Sequence, residues 1–65
     1  MIFLVRDTVS GFWVARDLVE QYRLTGYRER AEKFRHVSDI SLTVRDIYNA
    51  LKNRPQKVLL SVVRL

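Results

Sequence analysis

The only histidine, His36, stands beside Ser38 and Asp39 in an H-x-S-D cluster. This is the one place where residue types used in nucleophilic catalysis sit together. A catalytic triad needs a base hydrogen-bonded to its nucleophile and oriented by a carboxylate, and such geometry is assembled across a fold, not along three neighbouring residues. The cluster therefore reads as a polar turn. The absence of cysteine removes thiolate nucleophiles and thiolate metal sites, and with only Gly11 and Gly26 the glycines are too far apart for a P-loop and too few for a G-x-G-x-x-G turn. The expectation is a protein that is not an enzyme, with no metal, no cofactor and no small-molecule substrate.

Charge offers a different chemistry. Twelve Lys and Arg against seven Asp and Glu give a net charge of +5, a sign that favours polyanions or an acidic protein surface. The distribution is uneven. Residues 23–36 carry Arg23, Arg28, Arg30, Lys33 and Arg35 against Glu29 and Glu32, and residues 52–65 carry Lys52, Arg54, Lys57 and Arg64 with no acid. In the first group the cations are interleaved with Tyr22, Tyr27 and Phe34. Such a mix can hold phosphates while an aromatic ring stacks on an exposed base. The same pattern also describes a short helix with Tyr27 and Phe34 in the core and a basic, solvated opposite face.

A second class of function is protein binding. Phe3, Phe12 and Trp13 crowd the N-terminal part of a small chain, where some apolar surface can stay exposed as an interface. The candidate contact residues are therefore Arg23, Arg28, Arg30, Lys33, Arg35, Lys52, Arg54 and Lys57, with Trp13 and Tyr27 as candidate interface aromatics. Nucleic acid is the first partner expected, and an acidic protein surface is the alternative. In size and composition alone, with no motif to carry it, the chain resembles small phage or mobile-element proteins that act as inhibitors or adaptors on a host protein. A helix-turn-helix is disfavoured, because a strand pattern follows where the recognition helix would begin.

The elements that must position these residues are read from periodicity. Residues 1–6, MIFLVR, predict a first strand. Over residues 8–26, Ala15, Leu18, Val19 and Tyr22 fall at helical spacing, Phe12 extends the stripe, and Gly26 stands where a left-handed residue would end a helix. The rival reading makes Ser10 and Gly11 a hairpin turn and residues 12–15 a strand. The helix is preferred. Residues 27–35 predict a short exposed helix, with a charged edge strand as alternative, and residues 36–41 a linker.

The clearest helix signal follows, in the apolar stripe Val44, Ile47, Tyr48 and Leu51. Thr43 stands as N-cap, Asp46 three residues on, and Leu42 with Ile47 at the staple positions. Pro55 sets an end by Asn53. Residues 57–65, KVLLSVVRL, read as a strand apolar on both faces, hence central to a sheet or covered by a second copy.

Together these predict one domain, residues 1–65, of the α/β (α+β) class. It is a small two-layer unit ordered strand, helix, short helix, helix, strand, with the first and last strands paired. The predicted core is Phe3, Val5, Phe12, Val19, Tyr22, Ile47, Leu51, Leu60 and Val62. A chain of 65 residues buries only about 60% of its unfolded surface, so a homodimer is expected. No apolar run reaches the roughly 18 residues of a membrane span and no signal peptide is recognisable, so the expectation is a cytoplasmic protein.

Overall fold

The computed structural model describes residues 1–65 and shows a small α+β arrangement, four antiparallel strands in one sheet and a single α-helix. The strands are β1 (Phe3–Asp7), β2 (Trp13–Arg16), β3 (Tyr22–Thr25) and β4 (Leu60–Arg64), and α1 (Val37–Leu51) connects β3 to β4. The sheet order is β3-β2-β1-β4. The first and last strands pair as expected, from Phe3 opposite Arg64 to Asp7 opposite Leu60. β4 is not central, however. It is an edge, and its second apolar side is left to solvent.

The helix expected over residues 8–26 is replaced by two hairpins, as the rival reading had it for residues 10–15. Aromatic and β-branched side chains at Phe12, Trp13 and Val14 favour a pleated surface, and two aspartates make the turns. Asp7 Oδ1 accepts the Val9 N–H at 3.1 Å, and Oδ2 accepts the Ser10 N–H at 3.2 Å and the Ser10 hydroxyl at 2.6 Å. Asp17 Oδ1 accepts the N–H groups of Val19 and Gln21, each at 3.0 Å. Side-chain carboxylates that bond the backbone a few residues on stabilise turns at the expense of helix. Leu18 and Val19, half of the helical stripe, lie at the tip of the second hairpin, where Leu18 is fully exposed.

Asp7 is also a tether, because its Oδ1 accepts the N–H of Leu59 at 3.0 Å across 52 residues. Burial pushes this carboxyl group's pKa up. The Ser10 hydroxyl and the N–H groups of Leu59, Val9 and Ser10 together outweigh that effect and hold it below the usual aspartate range.

Helix α1 begins at Val37, a turn and a half before Thr43, so residues 37–41 are helix and not linker. His36 is its N-cap without a side-chain capping bond. The Thr43 hydroxyl instead donates back to the carbonyls of Asp39 and Ile40, at 2.9 and 3.2 Å. The longer helix brings Ile40 into line with Val44, Ile47 and Leu51, at intervals of four, three and four residues that keep one face. Ile40, Ile47 and Leu51 pack with Val5, Val14 and Phe34 to form the core, with Phe3, Tyr22, Leu24, Val58 and Leu60 half-buried around it. Each fully buried aliphatic side chain of this set contributes about 1.5–3 kcal/mol. Of the predicted core, Phe12, Val19 and Val62 are exposed. The first two belong to the mistaken helix, and Val62 belongs to the edge.

Residues 27–34 do more than connect. β1 and β2 pair only around Arg6 and Trp13, then separate. Into the gap comes the returning chain, with the Glu32 N–H donating to the Val14 carbonyl at 2.9 Å and Phe34 exchanging two backbone bonds with Phe3 at 2.8 and 2.9 Å. The segment starts on the face away from α1 and passes between the strands. It then delivers Phe34 to the core on the helix side. Only residues 28–30 form a helical turn, of the 3-10 type. This crossing explains why Leu4 and Ala15, which point away from α1, are nevertheless buried.

Candidate functional site

Strand alternation assigns each side chain to a face. Val5, Val14, Tyr22 and Leu24 point to α1, so their neighbours Arg6, Trp13, Ala15, Arg23 and Thr25 point to the other side, here the open face. Arg6 lies directly opposite Trp13, Trp13 opposite Thr25, and Ala15 opposite Arg23. The crossing segment adds Tyr27, Arg28, Arg30 and Lys33 to the same face. Five cations thus share one face with a half-buried indole, and two of them, Arg6 and Arg28, lie over its ring.

The guanidinium carbon of Arg6 lies 5.3 Å from the Trp13 ring centroid and that of Arg28 5.6 Å. Arg30 holds the same relation to Tyr27 at 5.0 Å. Contacts of this kind are worth about 0.5–1 kcal/mol each at exposed sites, enough to orient a side chain while leaving its donors free. Arg6 is oriented further by donating from Nε to the Gly11 carbonyl at 3.1 Å. Gly11 has φ of 80°, in the left-handed region that favours glycine, and a Cβ there would only touch the Arg6 guanidinium at 3.4 Å, so the backbone and not the space sets the preference.

Two shallow hollows open among these basic residues. One, of about 260 Å³, is walled by Arg23, Thr25 and Arg30 above Ala15. The other, of about 350 Å³, lies between Arg28, Glu29 and Lys33 against Leu4 and Leu65. Asp17 at the first hollow and Glu29 at the second are the acids among these cations. The surface is therefore a shallow, basic platform with a flat aromatic centre, suited to a long anionic ligand more than to an enclosed small molecule.

Of the residues expected to act together, Arg23, Arg28, Arg30, Lys33, Trp13 and Tyr27 share this face. Arg35 follows where the chain has passed to the helix side, one residue before the N-cap. Lys52, Arg54 and Lys57 lie in the exposed loop after α1, around a hollow of about 380 Å³ bordered by Tyr48 and Val58. Val58 packs on the core, so the second basic group belongs to the helix side of the sheet. The two groups do not share a surface.

No family model, curated protein or solved structure matches this chain. Its own geometry must carry the functional reading. His36, Ser38 and Asp39 are exposed at the start of α1, where the Asp39 N–H donates to the His36 carbonyl at 3.1 Å as an ordinary first helical turn does. No helix is long and apolar enough to cross a membrane.

One contributor escaped the sequence reading. Arg6 lies outside both basic groups that the sequence singles out, and its place over Trp13 exists only if residues 12–15 form a strand. A signal was present in the repeated Arg-Asp-x-Val at residues 6–9 and 16–19. Each copy ends a strand and opens an aspartate-capped turn, and recognising the repeat would have replaced the helix with two hairpins.

Proposed function

We propose that the open face binds nucleic acid, with Arg6, Arg23, Arg28, Arg30 and Lys33 contacting phosphates. Trp13 and Tyr27 present rings to the bases of a single-stranded or unpaired segment. The observation that carries the reading is the convergence of Arg6 and Arg28 on Trp13 from elements separated in sequence, with Arg30 placed over its near neighbour Tyr27 on the same face. A merely solvated basic surface has no need to gather its cations around flat rings. A guanidinium already lying over an aromatic can donate to phosphate with little further ordering, and base stacking on such a platform contributes about 1–3 kcal/mol per base. Binding is expected to tolerate many sequences and to depend steeply on salt.

Fluorescence-anisotropy titrations against single- and double-stranded DNA and RNA at about 50 and 200 mM salt test this, the range over which several phosphate contacts weaken binding tenfold or more. Replacing Arg23, Arg28 and Arg30 together by Gln should reduce the salt slope by about 2 to 3. The same change at Lys52, Arg54 and Lys57 should leave it nearly unaltered. No binding at low salt would overturn the proposal and direct attention to an acidic protein surface, which the same arginines would serve.

A further inference from the structure

The sheet ends in an unprotected strand. The carbonyl of Ile2 accepts the Leu65 N–H at 2.9 Å and the carbonyl of Leu59 accepts the Thr8 N–H at 2.8 Å. By alternation, the odd residues of β4 turn their backbone groups toward β1. The even residues, Leu60, Val62 and Arg64, turn theirs outward. Of these, the Leu60 N–H is taken by the Tyr48 hydroxyl at 3.2 Å. Exposed edges are normally blunted by Pro, a bulge, inward charge or a covering element, because their free backbone groups recruit another strand. β4 shows none of these except Arg64 and the Tyr48 hydroxyl on the Leu60 N–H. The other edge, β3, lies under α1, with Tyr22 and Leu24 packed on the core.

We infer that β4 is the docking edge for a second copy of this chain, paired antiparallel about a two-fold axis at Val62. In this register the outward backbone groups of Val62 and Arg64 and the Leu60 carbonyl meet partners, Val62 facing Val62 of the second copy and Leu60 facing Arg64, and the Leu60 N–H exchanges the Tyr48 hydroxyl for the Arg64 carbonyl. The side chains agree. Val62 is 46% exposed on the helix side, and on the open side Leu59 and Leu65 are 58% and 54% exposed. The register sets Val62 against its own counterpart and Leu59 against Leu65, so each solvent-facing apolar group of the edge gains an apolar neighbour. Charge is compatible as well. The two Arg64 side chains stand four residues apart along the strand direction, roughly 13 Å, beyond the screening length of about 8 Å at physiological salt. Shifting the register to oppose Arg64 with Arg64 would lose both advantages.

A strand of this length supplies an interface toward the small end of the range, under about 1,200 Å² in total, so association is reversible and dependent on concentration. The two-fold axis is perpendicular to the sheet. The assembly is therefore a continuous eight-stranded sheet with both helices on one side and both Trp13 faces on the other, and one anionic strand could cross both platforms.

Sedimentation velocity on the protein alone, from about 10 μM to about 1 mM, tests the pairing where small interfaces associate. The wild type should pass from monomer to dimer and no further. Val62→Lys places like charges face to face at the axis and should stay monomeric with an unchanged far-UV circular dichroism spectrum. Should Lys disturb the fold, Val62→Thr supplies the second variant, expected to fold and to dimerise more weakly than wild type. A wild type monomeric throughout, an assembly that continues past the dimer, or a folded Val62 variant that dimerises undiminished would each overturn the inference. None of these outcomes involves nucleic acid, so the result is independent of the binding proposal.

Discussion

The two faces of one sheet follow opposite rules. On the helix side, Val5 and Val14 meet Ile40, Ile47 and Leu51 in a closed apolar layer. On the open side, the buried residues Leu4 and Ala15 are covered by a single irregular segment that brings Arg28, Arg30 and Lys33 with it. The strands are the same in both cases, and the pleat alone sends alternate residues to different environments. The lesson is a division of labour, in which stability resides mainly on one face while the other is free to collect charge around an indole.

That division can be broken most severely at Ile47, which has no exposed surface. Ile47→Ala should cost about 2–4 kcal/mol, a large share of the roughly 3–10 kcal/mol available to a domain of this size. Urea denaturation would register it as a lower midpoint or as loss of the cooperative transition. Replacements confined to open-face arginines should not approach this loss.

Asp7 is the next largest effect, because its carboxylate joins the first turn to the approach of β4. Asp7→Asn should cost about 1–3 kcal/mol at neutral pH, as charge-assisted bonds are weakened or left unmade. Its folded pKa is depressed, so the contribution is fully present above the unfolded value near 4 and disappears as pH falls through the lower folded value. Thermal melts between pH 7 and pH 2 should therefore show the wild type and the Asn variant converging in acid.

Arg23→Gln or Arg28→Gln should change stability by no more than about 1 kcal/mol, while each lowers the salt slope of nucleic-acid binding by about 0.7–0.9. An open-face arginine that destabilised the fold as much as Ile47→Ala would erase the contrast between the faces. A small gain, not a loss, is expected at Glu20, which adopts φ of 59° at the second turn. A side chain there costs roughly 1–2 kcal/mol of strain, partly offset by the greater chain entropy of glycine. Glu20→Gly should therefore stabilise by at most about 1 kcal/mol, visible as a small rise in melting temperature.

What the sequence made legible were the segments whose pattern and environment agree. Residues 1–6 and 57–65 are apolar and β-branched, and they pair. Ile47 and Leu51 carry a helical stripe, and they reach the core. The failures have a common physical origin. Leu18 and Val19 matched a helical period, yet Asp17 captured the backbone beside them and turned it. Thr43 looked like a cap, yet the helix starts six residues earlier, and in that added part Ile40 is the residue the core accepts while Val37 stays exposed. The basic group was visible in composition. Its assembly around Trp13 was not, since it depends on a crossing segment that places Arg28 beside a strand residue 15 positions earlier.

The central claim is that the open face, and not the loop after α1, receives nucleic acid. Trp13 is the only tryptophan, so its emission reports on that face alone. Oligonucleotide should be titrated into the protein at about 50 mM salt, where phosphate contacts are strongest, while anisotropy of a label on the oligonucleotide and Trp13 fluorescence are followed together. The account predicts that the two signals saturate at the same concentration, with the indole emission quenched by an adjacent base. Saturating anisotropy with unchanged Trp13 emission would place the ligand elsewhere and contradict it.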